Sequence, residues 1–343
     1  MSIASLLVGL DEIADARRRI GDRAHRTPLL SSATAARFLA EAGGPQLADG
    51  RLYLKAEHLQ KTGSFKARGM TNRIASLAPE QRTRGAITMS AGNAGQAYAW
   101  AAHEVGVPMT VVMALGANPT KVAACRGYGA EVVLEGAHVG EAFQVLERIR
   151  AERGLTFVHP FEDAPVIAGH GSVGLEILED LPDVDVVVVG VGGGGLISGV
   201  AAALKETRPG IRVYGVEPTE AAAMSLAFEA GAPVTIQPHT VADGLAAPFA
   251  GERTLEMCRR YLDGLVLLDD PTILGGLRFA LERMKQVLEP AGAAALAAVL
   301  FGQIPIADGE RVAVVASGGN IDVGRLGELL AGAAPLPGPR PAS

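Results

Sequence analysis

Short apolar runs recur along the chain, each bounded by Gly, Pro, Asn or Asp. Leu52-Tyr53-Leu54-Lys55-Ala56, Ala86-Ile87-Thr88-Met89, Met109-Thr110-Val111-Val112-Met113 and Glu131-Val132-Val133-Leu134 come first. Val186-Val187-Val188-Val189, Val213-Tyr214-Gly215-Val216 and Val312-Ala313-Val314-Val315 follow. Several are continuously apolar rather than alternating, the pattern of strands buried on both faces. Helical stretches lie between them. Ala94 to Val105 is alanine-rich and stops at Gly106, and Glu141 to Arg153 carries Val145, Leu146 and Ile149 and stops at Gly154. Strands alternating with helices predict an α/β protein with mostly parallel sheets.

In such sheets ligands sit beyond the carboxyl ends of the strands. Three loops there carry unusual residues. The first, Ser90-Ala91-Gly92-Asn93-Ala94-Gly95-Gln96, runs straight into the alanine-rich helix. Backbone N–H groups at a helix start suit an anion such as a carboxylate, although a plain N-cap turn has the same composition. The second, Gly190-Val191-Gly192-Gly193-Gly194-Gly195-Leu196, ends a buried strand and opens a helix from Ile197. Bare backbone there can wrap a phosphate. No Lys follows, so a nucleoside triphosphate site is disfavoured. A flexible loop or close helix packing is the alternative. The third, Ala316-Ser317-Gly318-Gly319-Asn320, offers one hydroxyl, or is a simple turn.

One lysine also stands out. Lys61-Thr62-Gly63-Ser64-Phe65-Lys66-Ala67-Arg68-Gly69 places an amine beside an aromatic ring and a turn. A partly desolvated amine has a lowered pKa and can form a Schiff base. The competing reading is a helix start with solvated cations. Together the three loops and Lys66 ask for a ligand with a phosphate, a nearby carboxylate and an aldehyde. Pyridoxal 5′-phosphate carrying an amino acid meets all three demands.

Composition narrows the classes further. The chain has 343 residues, is 48% hydrophobic and 20% charged, and has room for two domains. Net charge is −6 and the densest cationic stretch, Arg17-Arg18-Arg19, lies in an amphipathic segment. Nucleic acid is therefore not an expected partner. Cys125 and Cys258 are far apart and form no metal spacing, so a reducing, cytoplasmic setting is expected. The start, from Ile3 to Leu10, lacks basic residues and runs at once into Asp11 and Glu12, unlike a signal peptide. No charge-free apolar stretch of about 18 residues predicts a membrane span. The end, Ala334 to Pro341, is proline-rich and is expected to be disordered, as is 331–343 as a whole.

With these residues in view, the chain resembles the fold-type II pyridoxal-phosphate family, in its serine/threonine dehydratase and serine racemase branch. The likeness runs from about Arg26-Thr27-Pro28-Leu29 to Asp322. The Lys66 run and the three loops occur in the family's order. His159-Pro160-Phe161, Val166-Ile167-Ala168-Gly169, Val241-Ala242-Asp243-Gly244 and Glu289-Pro290-Ala291-Gly292 also resemble family segments. The resemblance implies a two-domain, tryptophan-synthase-beta-like fold, each domain an open, mostly parallel twisted sheet flanked by helices. A large cofactor-binding domain would span 1–60 and 156–330, and a smaller one 61–155. It also implies roles. Lys66 would carry the cofactor aldehyde as a Schiff base and then move the Cα proton. Phe65 would pack near the ring, and Asn93 would bond its 3-oxygen. Gly192, Gly193, Gly194, Gly195 and Leu196 would hold the phosphate. Ser317 would face the pyridine nitrogen. Ser90, Ala91, Gly92, Asn93 and Ala94 would cradle the substrate carboxylate.

Four departures bear on chemistry. Ala91 stands where the branch's racemases carry a serine that serves as the second base, and a methyl group shuttles no proton. Ala94 replaces a usual histidine and leaves the substrate's side chain open. His170 replaces a usual glutamine. Glu217 is a candidate cation ligand, but Ala223 stands where a partner aspartate is expected, and a hard cation wants several oxygens. No regulatory module fits beyond Asp322, so feedback inhibition through one is not expected. The implied activity is elimination from a β-hydroxy-α-amino acid, L-threonine, L-serine or a β-substituted relative, to a 2-oxo acid and ammonia. Racemisation, β-replacement and a cofactor-binding module without turnover stay open. A homodimer or homotetramer is implied.

Overall fold

Among the described residues ten strands form two sheets, and every one of the seven apolar runs lies on one of them. The computed structural model describes residues 6–336. Residues 3–5 of the N-terminal stretch and the proline-rich end from 337 onward lie outside it. The strands are β1 (Leu29–Ser32), β2 (Leu52–Lys55), β3 (Ala86–Met89), β4 (Met109–Met113) and β5 (Glu131–Leu134). They continue with β6 (Thr156–Phe157), β7 (Val186–Gly190), β8 (Arg212–Pro218), β9 (Gly264–Leu268) and β10 (Val312–Val315). The larger sheet has the order β1-β2-β10-β7-β8-β9, and the smaller β5-β4-β3-β6. All pairings are parallel except β1 with β2.

The continuous valine runs follow from two-sided burial. Val186 and Val188 enter a core completed by the helices Ala33–Glu41, Asp270–Phe279 and Pro290–Leu300. Val187 and Val189 point to the other face, under Leu10–Ile20, Ala164–Asp180, Gly195–Thr207 and Glu252–Tyr261. Successive strand residues face opposite sides, so both faces demand apolar residues. The smaller sheet repeats the arrangement. Met109, Val111 and Met113 pack beneath Asn93–His103 and Lys66–Ala75, while Ile87 and Val112 pack on Val139–Arg153.

Sequence periodicity does not reveal β1, β6 or β9. β1 is a half-exposed antiparallel edge strand ending in two serines. β6 has two residues and is defined only by its pairing with β3. β9 is an edge strand whose short apolar run reads equally well as part of a helix. β6 also draws residues 156–157 into the smaller sheet, just past the 155 boundary read from sequence.

The helix that begins at Lys66 packs against both Asn93–His103 and Ala164–Asp180. Its crossing with the latter is close. A Cβ on Gly169 would lie 2.7 Å from the Gly69 Cα, so only glycine fits there. Among the described residues, no helix is long and apolar enough to cross a membrane.

Candidate active site

The three sequence loops and Lys66 meet around one cavity of about 470 Å³. Its walls include Phe65, Lys66, Ser90 to Ala94, Gly192 to Leu196 and Ser317, so every site residue expected from sequence except Glu217 reaches it. Backbone bonds join two of these segments directly. Phe65 N donates to Ser317 O at 3.0 Å, and Gly319 N donates to Gly63 O at 2.9 Å. Gly63 sits at φ +73°, and a Cβ there would collide with the Asn320 side chain. This turn therefore requires glycine on two counts.

Lys66 faces the cavity and keeps some exposure, yet its amine is enclosed by protein. Nζ donates to Pro160 O at 2.9 Å and lies 5.0 Å from the centre of the Phe65 ring. No carboxylate offsets the burial, which pushes the amine down to about 8. The reading of Lys66 as a solvated surface cation is thus excluded. Phe65 in turn meets the edge of His170 at 4.7 Å. Burial holds His170 well below the usual imidazole range, and its neutral ring backs the aromatic side of the lysine.

The glycine loop is tightly enclosed. Gly194, at φ +86°, caps the helix Gly195–Thr207. A Cβ on Gly192 would lie 3.2 Å from Leu245 Cα, and one on Gly195 would lie 3.0 Å from Phe161 O. The first-turn N–H groups of that helix have no carbonyl in their own helix and are free for an anion. Leu196 touches the cavity but lies mostly in the core. Ser90 Oγ accepts from Gly92 N at 3.2 Å, shaping the turn before the helix Asn93–His103. Ser317 Oγ has only a long contact, 3.4 Å, to Ala291 O, and so remains available.

Asn93 is more committed than the sequence indicates. Its Nδ2 donates to Glu289 Oε1 at 2.6 Å, and its Oδ1 accepts from Asn320 at 3.0 Å. Sequence likeness matches Glu289 without giving it a role. A lone carboxylate in Leu288-Glu289-Pro290-Ala291 is the available signal. It is 3% exposed, and Oε2 has no partner among the described residues. Burial, with Asp243 adding repulsion, pushes it up to about 7. A carboxyl whose folded pKa is raised from 4.5 supports folding at low pH and loses that support as pH rises through about 7. The difference is on the order of 3 kcal/mol. Glu289→Gln is expected to flatten this slope. Urea unfolding of the cofactor-free protein at pH 5 and pH 8 would show it, and an unchanged slope would count against the assignment.

Glu217 lies elsewhere. Its carboxylate accepts from Met224 N at 2.8 Å, Ser225 N at 2.9 Å and Ser225 Oγ at 2.6 Å. It thereby anchors the start of the helix Ala223–Ala230. No group of three or more His, Cys, Asp or Glu side chains gathers as a metal site among the described residues.

Behind the Lys66 helix lies a buried charge cluster that pattern reading overlooked. Arg68 donates to Glu57 at 2.8 and 2.9 Å and to Glu176 at 2.7 and 2.8 Å. Lys55 adds a 2.6 Å bond to Glu176. Burial pushes Glu57 up, but Arg68 outweighs it and holds the carboxyl below its usual range. Two cations and two anions balance, and they tie the lysine helix to β2 and to Ala164–Asp180.

The donor set fits pyridoxal phosphate. A desolvated amine suits an aldehyde, a glycine cradle at a helix start suits a phosphate, and an uncommitted hydroxyl suits a ring nitrogen. Comparison with known proteins agrees. Residues 20–318 match the family model described as pyridoxal-phosphate dependent enzyme. An L-threonine ammonia-lyase from Thermotoga maritima is 43% identical, over 94% of this chain and 78% of that protein. The structure of maize serine racemase matches with a TM-score of 0.86 and 35% identity, covering 94% of this chain and 97% of that one. The structure of T.th. threonine deaminase matches with a TM-score of 0.83 and 39% identity, covering 92% and 99%. By its matched span, its two mostly parallel sheets and the amine at their shared cavity, the chain belongs to the fold-type II family of pyridoxal-phosphate-dependent enzymes.

Proposed function

We propose that the protein is an ammonia-lyase that dehydrates a β-hydroxy-α-amino acid, the class of L-threonine and L-serine, to a 2-oxo acid and ammonia. The observation that supports it most is the enclosed Lys66 amine with no carboxylate partner, set opposite a glycine cradle and a free hydroxyl. The similarity to proteins named for threonine ammonia-lyase and threonine deaminase activity supports the same reading.

When bound, the cofactor would supply an aldehyde for the substrate amine and an electron sink for Cα. Gly192 to Leu196 would hold its phosphate by backbone N–H groups. Ser90 to Ala94 hold the substrate carboxylate at the start of the helix Asn93–His103. Asn93 would orient the ring's oxygen, and Ser317 would offer a hydroxyl to the ring nitrogen. A hydroxyl does not keep that nitrogen protonated as a carboxylate would, which suits rapid loss of a β-leaving group. Lys66, whose amine burial brings down to about 8, would take the Cα proton in its neutral form. The Cβ–O bond breaks and the β-hydroxyl departs as water, the proton it gains balancing the one Lys66 takes from Cα. The resulting enamine tautomerises and is hydrolysed to the 2-oxo acid and ammonia. Ala91 supplies no proton to the opposite face of Cα, which favours elimination over racemisation.

We propose with this a two-domain division at approximately 1–60 with 156–330 against 61–155, β6 at the boundary joining the smaller sheet, a homo-oligomer and a cytoplasmic location, on family likeness. The test is a 2-oxo-acid assay with L-threonine and L-serine on cofactor-loaded protein. Keto acid is expected. The second reading, racemisation, is favoured by the serine racemase neighbour. Enantiomer without keto acid would overturn the role given to Ala91, and Ala91→Ser is expected to raise any racemase side activity.

A further inference from the structure

The cavity has two halves of different chemistry. One is walled by loops of the larger sheet and holds Lys66, the glycine loop and Ser317. The other lies at the carboxyl ends of the smaller sheet's strands. Its wall is Val112 and Ala114 from the end of β4, Val139 and Phe143 from the helix Val139–Arg153, Phe157 of β6, and Phe249. Resting on the dehydratase reading, we propose that this second half is a subsite for an aromatic β-substituent, so that the preferred substrate is a β-aryl-β-hydroxy-α-amino acid.

Three observations carry this. First, apolar surface is left open there. Val139 is 58% exposed and Phe143 is 42% exposed, and both line the cavity. A ligand ring would cover them and gain about 25 cal/mol per Å² of apolar area. The methyl group of threonine would leave most of this wall bare.

Second, the wall is already built from rings in edge-to-face order. Phe143 and Phe157 lie 6.3 Å apart at 81°, and Phe157 and His159 lie 5.7 Å apart at 84°. His159 meets Phe249 edge-on at 6.2 Å and 64°, and Phe161 and Phe249 form a tilted pair at 5.4 Å and 56°. A further ring extends such a set in its preferred geometry, which a branched alkyl group does not.

Third, the polar groups nearby are engaged. Lys121 Nζ donates to Asp243 at 2.8 Å, so its charge is matched against a β-carboxylate. His159 Nδ1 accepts from Phe161 N at 3.2 Å and Glu162 N at 2.8 Å, so the ring is neutral at that nitrogen. Burial, aided by Lys66, pushes His159 down to about 4. The Lys121 charge is paired and the imidazole is uncharged, so neither competes with an apolar substituent.

The experiment compares kcat/KM of the cofactor-loaded enzyme for β-phenylserine, threonine, β-hydroxyleucine and 3-hydroxyaspartate, by keto-acid release. The phenyl substrate is expected to exceed threonine by about tenfold or more, the range that apolar pocket contacts supply. It should also exceed β-hydroxyleucine, and 3-hydroxyaspartate should fall below threonine. A phenyl-to-threonine ratio of one or less overturns the inference while leaving the dehydratase reading intact. Keto acid from none of the four overturns the dehydratase reading itself. Phe143→Ser, on an exposed helix face, and Ala114→Phe, which fills the subsite, localise the effect. Each should lower the phenyl-to-threonine ratio severalfold. An unchanged ratio in the variant that retains threonine turnover overturns the placement of the ring.

Discussion

Lys66→Ala is expected to give a folded protein whose kcat for keto-acid release is lower by roughly 10³-fold or more, since nucleophile and base are removed together. The visible absorption of a lysine-bound cofactor should vanish with it. Stability of the cofactor-free protein should hold or rise, because the substitution removes an amine that is buried without a counter-charge. A loss of activity caused by unfolding is thereby distinguished. Lys66→Arg should not rescue, since a guanidinium keeps its proton. The enclosed amine also sets a pH dependence. Its neutral form grows as pH rises through about 8, so uptake of the cofactor aldehyde by the cofactor-free protein should quicken across that pH and then level off. Full turnover by the alanine variant would end the case for this lysine.

Arg68→Met is expected to cost about 3–5 kcal/mol in the urea unfolding free energy at pH 7, the usual penalty for removing one partner of a buried charge group. Arg68 makes four bonds to Glu57 and Glu176, and its side chain is 2% exposed. Without it, Glu176 keeps Lys55, which also lies 3.9 Å from Asp180, and Glu57 keeps the Thr27 hydroxyl and only the longer-range charge of Lys55. The sign with pH follows. In the native protein Glu57 is held below its usual range, so its support is present above 4.5 and lost as pH falls. In the variant the uncompensated carboxylates are relieved by protonation, so the penalty should shrink towards acid pH. The double variant Glu57→Gln/Arg68→Met should lose less than the two single losses added together. A change below about 0.5 kcal/mol for Arg68→Met would contradict the burial argument.

Much of the fold was legible because two-sided burial leaves a local mark. β3, β4, β5 and β10 begin and end where the apolar runs do. β7 and β8 run on by a residue or more at their ends. β1, β6 and β9 left no such mark, since edge position and very short length remove the need for a continuous apolar run. The site residues were legible for a related reason. Ligand loops of parallel sheets lie at strand ends, and Ser90–Ala94, Gly192–Leu196 and Ser317 stand just past β3, β7 and β10. Glu217 also stands on a strand, yet its oxygens are spent on the next helix. Local sequence cannot separate a helix anchor from a cation ligand.

By itself, then, the sequence determined which strands are buried on both faces and which strand-end loops line the cavity. Only the tertiary structure decided what depends on distance and local dielectric. It gathered those loops around Lys66 and stripped water from the amine. It brought Asp243 near enough to raise Glu289, and closed Arg68 among Glu57, Glu176 and Lys55. It also assembled Phe143, Phe157 and Phe249 from separate segments into one apolar wall. Coulomb energy and desolvation change over a few ångströms, and spacing along a chain does not encode separations that small between distant segments.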